Sequence, residues 1–411
     1  MPFTSVGLSP ALLRAVSAKA YTVPTPIQAA AIPAILQGRD VLGSAQTGSG
    51  KTAAFALPLL QLLAHSPPIE KPRRARALVL VPTRELATQV GEEFRNFAQH
   101  LPAPVKVTVV FGGVSVNPQM MGLRGGTDIV VATPGRLLDL IAHNALALSG
   151  VTALVLDEAD RLLDLGFAQE LERILALCPK KRQNLFFSAT FPPAVKALVQ
   201  ALLHDPVRID VLPAKQDQPD IVQRAIAADT SRRTQLLRHL ITQHGWSRVL
   251  VFVATKHAAE VVADKLRKAD IHAEPFHGEL SQGKRTQVLA DFKAARLTVV
   301  VATDVAARGL DISQLPVVVN YDLPRSATDY THRIGRTGRA GESGLAVSFV
   351  SAGTQAHWRL IEKRQHLDLP LEQVAGFEPL ESAPAAGPAT GGIKGQRPSK
   401  KDKLRAAARE Q

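Results

Sequence analysis

Residues Ala45, Gln46, Thr47, Gly48, Ser49, Gly50, Lys51 and Thr52 form the run AQTGSGKT. Small residues at this density let the backbone curl until its N–H groups point inward, as binding of phosphate oxygens requires. Lys51 is placed to reach β- and γ-phosphates, and the Thr52 hydroxyl to bind Mg2+. The first glycine of the usual GxxxxGK[ST] pattern is Ala45 here, but the turn remains rich in small residues. A second chemical group, Asp157-Glu158-Ala159-Asp160, closes the apolar run VTALVL. A carboxylate at the end of a strand beside a phosphate-binding loop suits the ion, so Asp157 is expected to hold Mg2+. Glu158 is expected to orient and deprotonate the attacking water.

These residues need a scaffold that brings strand ends together. Short apolar runs alternate with longer amphipathic stretches, which predicts an α/β fold with mostly parallel sheets flanked by helices. Strands are expected at 77–81, 129–132, 153–156 and 185–187, and again at 249–253, 298–302, 317–319 and 345–350. The phosphate loop follows the apolar DVLGS and precedes the helix-like AAFALPLLQLL. Between the two strand sets lies LPAKQDQPD, residues 212–220, polar and with two prolines, which reads as a linker. The expected organisation is one domain over 1–211, a second over 221–375, and a disordered basic tail over 376–411. VVAT at Val130 and again at Val300 is a faint echo between the two halves.

The chain has 49 Lys and Arg against 36 Asp and Glu, a formal net charge of +13. That balance favours a polyanionic partner, nucleic acid or an anionic membrane. No long uninterrupted apolar run is present, and the N-terminus lacks a charged segment leading into an apolar one, so neither a membrane span nor a secretory signal is expected. Nucleic acid is therefore the better reading. Cys178 is the only cysteine, which excludes an intramolecular disulfide and a thiolate metal cage and fits a cytoplasmic protein. The 12 histidines lack metal-ligand spacing. From Glu381 onward, seven Lys and Arg and three acids lie among Ala, Pro and Gly, a composition that cannot bury a core.

The phosphate loop, Asp157-Glu158-Ala159-Asp160, Ser188-Ala189-Thr190 and HRIGRTGR at 332–339 occur in one order. In that order the chain resembles a DEAD-box ATP-dependent RNA helicase of superfamily 2. VNPQMMGLRGG and KRQNLFFSATF are similar to the bacterial RhlE-type subgroup. The resemblance implies two tandem RecA-like domains, with ATP and Mg2+ in the cleft between them and RNA lying across both. Tyr21, Thr25 and Gln28 resemble the adenine-reading motif, although the residue before the aromatic is Ala20 and not the usual glycine. Gly309 and Asp311 match the ribose-contacting segment. Arg336 and Arg339 match the arginine fingers, whose guanidinium groups suit the charge spread over a transferring phosphoryl group. Ser188, Thr190 and His332 are implied in coupling the domains.

RNA is implied on Pro82, Thr83, Arg84, Gly112, Gly113, Thr133, Pro134, Gly135 and Arg136 of the first domain. In the second domain the matching residues are Thr255, Gly278, Arg285, Thr303 and Asp304. Short hydroxyls, accessible N–H groups and Arg read the sugar–phosphate backbone and not base identity. Ribonucleoprotein complexes, ribosome precursors or the mRNA decay machinery, are the partners such an enzyme would meet. Two rivals stand beside the helicase reading: a DNA helicase on the same core, and an ATP-gated RNA clamp or annealing protein.

Overall fold

The computed structural model describes residues 2–45, 48–65, 73–211, 220–307, 315–338 and 343–381. Two seven-stranded parallel sheets form the molecule. The first holds β1 (Val41–Ser44), β2 (Ala77–Leu80), β3 (Val107–Val110), β4 (Ile129–Ala132), β5 (Ala153–Leu156), β6 (Gln183–Ser188) and β7 (Val207–Asp210). The second holds β8 (Ile221–Ala227), β9 (Val249–Val253), β10 (Ala273–Phe276), β11 (Val299–Thr303), β12 (Val317–Asn320), β13 (Gly344–Val350) and β14 (Leu371–Glu372). The strand orders are β3-β4-β2-β5-β6-β1-β7 and β10-β11-β9-β12-β13-β8-β14, the same permutation seven strands apart. The VVAT echo falls on β4 and β11, which hold equivalent places in the two sheets.

Apolar runs make these strands because both sheet faces are covered by helices. Successive side chains point to opposite faces, so Ala77, Val79, Val131 and Val155 join one core while Leu78, Leu80, Val130 and Leu154 join the other. Val249, Val251 and Val301 are divided in the same way from Leu250, Phe252 and Val300. The expected strands appear at their places. Those not expected include three that carry charge or proline, VRID of β7, IVQRAIA of β8 and AEPF of β10, and the half-buried edge strand β3, VTVV.

The expected tail begins too early at 376. Glu372 pairs with Arg224 at 2.6 Å, and Val374 and Phe377 pack on the second core. The Arg232 guanidinium lies 5.2 Å from the Phe377 ring centre, and Asp229 accepts the N–H groups of Leu380 and Glu381 at 2.9 and 3.0 Å. Partly buried apolar side chains and satisfied backbone groups hold this segment to the domain as far as Glu381. The remainder of the expected tail, and residues 212–219 of the expected linker, lie outside the described residues. No described helix is long and apolar enough to cross a membrane.

Candidate active site and nucleic-acid interface

Parallel strands deliver all their C-terminal ends to one edge, where open α/β sheets bind ligands. The C-terminal ends of β5, β6 and β1, neighbours in the first sheet, carry Asp157, Ser188 and the phosphate loop. Loops after β3, β4 and β2 carry Gly112, Thr133 and Thr83. One half of the sheet edge therefore holds the residues expected on the triphosphate, and the other half those expected on RNA.

The phosphate loop opens from β1, where the Ala45 N–H donates to the Ser188 carbonyl at 3.2 Å. Gly48 and Gly50 sit at φ 84 and 90, left-handed values that disfavour other residues. A Cβ at Gly50 would lie 2.4 Å from Gln28 Nε2. That amide donates to the Gly50 carbonyl at 3.2 Å, while Gln28 Oε1 accepts the Thr25 N–H at 3.0 Å. Gln28 thus ties the expected adenine-reading segment to the loop beneath it. Lys51 and Thr52 begin the helix Lys51–Ala64, and Lys51 Nζ donates to the Ala45 carbonyl at 2.8 Å. A cavity of about 430 Å3 runs over this loop, lined by Tyr21, Gly50, Lys51, Thr52, Asp157 and Glu158. Lys293 of the second domain also reaches it.

Asp157 is fully enclosed, and burial pushes its pKa up to about 6 against the lowering field of Lys51. A buried carboxylate in that state is stabilised by an added cation. With the Thr52 hydroxyl and phosphate oxygens it offers the hard oxygen ligands that Mg2+ takes. Among the described residues no group of three or more His, Cys, Asp or Glu is arranged to hold a metal, so an ion here would rest on Asp157, Thr52 and the phosphates. Glu158 sits at φ 52, ψ 50, a left-handed conformation that costs a non-glycine residue about 1–3 kcal/mol. A buried ion pair from Arg161 to its carboxylate, 2.8 Å, helps to hold it there. Asp160 bonds the other way: its carboxylate accepts the Thr190 N–H and hydroxyl at 3.0 and 2.7 Å. Its own N–H donates to Ser188 Oγ at 3.3 Å. Ser188 and Thr190 are therefore linked to the acidic loop within the first domain.

His332 and Arg336 come from the second domain and line a small cavity with Arg161. Burial, then the Arg161 charge and, more weakly, that of Arg336, hold the His332 pKa down at about 4, against the opposing fields of Asp160 and Asp329. His332 is thus a neutral group facing the Asp160–Arg161 turn across the domain boundary. Arg336 is buried. Gln46, Thr47, Gly309, Asp311 and Arg339 lie outside the described residues.

On the other half of the edge, Thr83 caps the helix Arg84–Ala98 and Pro82 is buried before it. Arg84 Nη1 lies 3.5 Å from the Gly113 carbonyl, and a Cβ at Gly113 would fall 2.0 Å from that guanidinium. The Gly112 N–H donates to Thr133 Oγ1 at 3.4 Å. Pro134 and Gly135 start the helix Pro134–Ala142, from which Arg136 donates to the Val114 carbonyl at 2.7 Å. Arg136 Nε is buried with no hydrogen-bond partner and lies 3.6 Å from the Asp139 carboxylate. In the second domain Thr255 caps the helix Lys256–Arg267, Gly278 follows β10 and Thr303 ends β11. Burial lowers the Arg84 pKa, and the charges of Arg285 and Arg136 lower it further, so three cations from both domains share one field.

Two expected RNA residues are engaged elsewhere. The Asp304 carboxylate is taken by Arg333, at 2.6 and 2.7 Å. The Arg285 guanidinium is spent on Glu85, at 2.8 and 2.7 Å, and on the His277 carbonyl at 3.0 Å. Glu85 belongs to the first domain and Arg285 to the second, so this buried pair joins them. Sequence reasoning missed the pairing roles of Glu85, Arg161 and Arg333, although Glu85 and Arg333 lie inside segments it singled out. Only Arg161 left a signal, its spacing of three from Glu158 at the start of a helix.

The chain is similar to known proteins in sequence and in fold. The DEAD/DEAH box helicase family matches residues 25–198, and the helicase conserved C-terminal domain matches residues 232–341. ATP-dependent rRNA helicase rrp3 of Sclerotinia sclerotiorum is 41% identical over 384 residues, covering 92% of this chain and 78% of that protein. The chain belongs to the DEAD-box helicase family. ATP-dependent RNA helicase DeaD of Buchnera aphidicola is 41% identical over 369 residues, 90% of this chain. The chain spans 60% of the length of that relative. Among solved structures, S. cerevisiae Dbp5 bound to RNA and ADP BeF3 superposes with a TM-score of 0.78 at 30% identity, covering 91% of this chain and 95% of that one. DEAD-box membership accounts for the paired RecA-like sheets.

Proposed function

We propose that this DEAD-box chain is an RNA-stimulated ATPase that separates short RNA duplexes locally. The observation that carries the reading is the division of one sheet edge, the residues expected on the triphosphate at β5-β6-β1 and those expected on RNA at β3-β4-β2, with Lys293, His332 and Arg285 of the second domain reaching that edge. On this reading Lys51 exchanges the Ala45 carbonyl for phosphate oxygens. Gln28 and Tyr21 hold the base. Asp157 and Thr52 would hold Mg2+, which supplies charge neutralisation at the phosphates. Glu158, fixed by Arg161, takes the proton of the attacking water. Arg336 arrives with the second domain and stabilises the charge that develops on the phosphoryl oxygens. Hydrolysis is therefore confined to the closed form.

Arg84, Gly113, Thr133 and Arg136 grip one strand by its backbone, joined by Thr255, Gly278 and Thr303 from the other domain. Two domains gripping one strand leave its partner unpaired. The RhlE-type assignment rests on VNPQMMGLRGG and KRQNLFFSATF alone, and cytoplasmic placement on the lone cysteine. Ribonucleoprotein targets follow from the backbone-only readout, which gives no sequence selection of its own. The test is ATP turnover with no nucleic acid, with RNA and with DNA of the same sequence. Turnover should rise strongly with RNA and much less with DNA. Turnover indifferent to RNA would refute the reading.

A further inference from the structure

A cleft of about 350 Å3 lies at the opposite edge of the first sheet. Arg39 and Asp40 directly precede β1, Arg182 directly precedes β6, and Asp205 lies just before β7. These three strands are adjacent and parallel, so their N-terminal ends meet there. With β6 six residues long, the cleft stands about 20 Å from the edge that holds Ser188 and the phosphate loop.

Its lining is one glycine and seven charged or ionisable side chains. Four Lys and Arg face two carboxylates, and both carboxylates are engaged. Asp40 accepts the N–H groups of Asn184 and His204 at 2.7 and 2.9 Å and is buried. Asp205 pairs with Arg39 at 2.9 Å, with side chains 95% and 45% exposed. An ion pair that exposed contributes little and is readily exchanged. Arg182 is locked in place by neutral acceptors, Asn184 Oδ1 at 2.9 Å and the Pro179 carbonyl at 2.6 Å, so its charge is unbalanced. Lys180 and Lys181 are exposed, with no ion-pair partner among the described residues. A protein partner needs apolar or aromatic anchors at the centre of its interface, and this lining has none. A phosphate backbone needs only clustered, accessible cations.

We propose that this cleft is a second RNA-backbone contact, which holds RNA flanking the segment gripped at the catalytic edge. The proposal rests on the RNA reading above and adds a surface that reading does not use. RNA confined to the catalytic edge cannot reach the cleft, so only longer RNA engages it.

The test uses the full chain and its Lys180→Glu/Lys181→Glu variant, with single-stranded RNAs of about five and about thirty nucleotides; at about 3.4 Å per stacked nucleotide the shorter falls below the roughly 20 Å of the sheet and the longer far exceeds it. Affinity is measured across a salt series. The variant should bind the long RNA roughly tenfold more weakly at low salt, with the salt slope flattened by about 1.4, two phosphates at about 0.7 each. Its affinity for the short RNA, and its turnover saturated with short RNA, should match the parent. Lys180→Arg/Lys181→Arg should restore long-RNA binding. Unchanged long-RNA binding would overturn the proposal, as would equal losses on short and long RNA. A polyglutamate chain that binds the parent through these lysines while long RNA does not would also overturn it, in favour of an acidic protein. Failure of short RNA to stimulate ATPase in the parent would refute the catalytic reading, whereas the length-dependent loss reports on the cleft.

Discussion

Removing Arg285 should unlatch the two domains. Its guanidinium and the Glu85 carboxylate are 4% and 7% exposed and 2.7 Å apart. The stem of Arg285 lies beside Phe276, whose ring centre is 4.5 Å from the guanidinium carbon. Arg285→Met keeps apolar bulk against that ring but leaves Glu85 charged and buried whenever the domains close. Breaking a buried pair from one side costs about 3–5 kcal/mol, or roughly 160- to 5,000-fold in the closing equilibrium. When the domains separate Glu85 is hydrated, so the penalty falls on the closed form alone. Replacing both charges, Glu85→Met/Arg285→Met, removes the stranded carboxylate and should recover most of the loss. The assay is energy transfer between dyes at Glu172→Cys and Lys265→Cys, both exposed, titrated with RNA at saturating ATP. Arg285→Met should need far more RNA to close and to reach half-maximal ATPase, and the double variant much less. If Arg285→Met closes like the parent, or the double variant is as impaired as the single, the latch reasoning fails.

Lys51→Ala should weaken ATP binding and turnover together, whereas Glu158→Gln should retain ATP and RNA and stall hydrolysis; binding and single-turnover assays separate the two. Closure should also depend on pH through His332. Its pKa is held down at about 4 in the closed form, against about 6.5 when hydrated, so the closed form binds fewer protons. Closure is therefore at full strength above about pH 6.5 and is lost as pH falls toward 4, by about 2 kcal/mol at pH 5; energy transfer across that range should show the slope, and His332→Gln should flatten it. Deleting residues after Glu381, which carry seven Lys and Arg, should leave RNA-saturated turnover unchanged. The same deletion should raise the RNA needed for half saturation and flatten the salt slope by no more than about seven.

The nucleotide half of the site was legible because its residues are contiguous and their chemistry is local: a curled small-residue loop, a lysine at a helix start, and a carboxylate at a strand end. Apolar strands were legible where both their faces are buried, whereas VTVV of β3, half-buried at the sheet edge, was not. Contacts between distant segments were not. Glu85 and Arg285 lie 200 residues apart, and nothing in either neighbourhood announces the other. Asp304 could be assigned from its position after a strand, but not its capture by Arg333 from 29 residues away. Residues 376–381 read as part of a polar tail because Phe377 alone is too isolated an apolar anchor for a periodic pattern. What holds them is a fit to Asp229 and Arg232 that only the fold creates.

The central claim is that ATP-driven closure on one strand separates a duplex. Its most direct test is displacement of a short RNA duplex by the full chain with ATP, beside Glu158→Gln. The account predicts ATP-dependent displacement by the parent, faster for shorter duplexes. Glu158→Gln should release at most one strand per enzyme and then stay bound. Binding of RNA with ATP hydrolysis but no displacement at any duplex length would contradict the account and leave an ATP-gated clamp in its place.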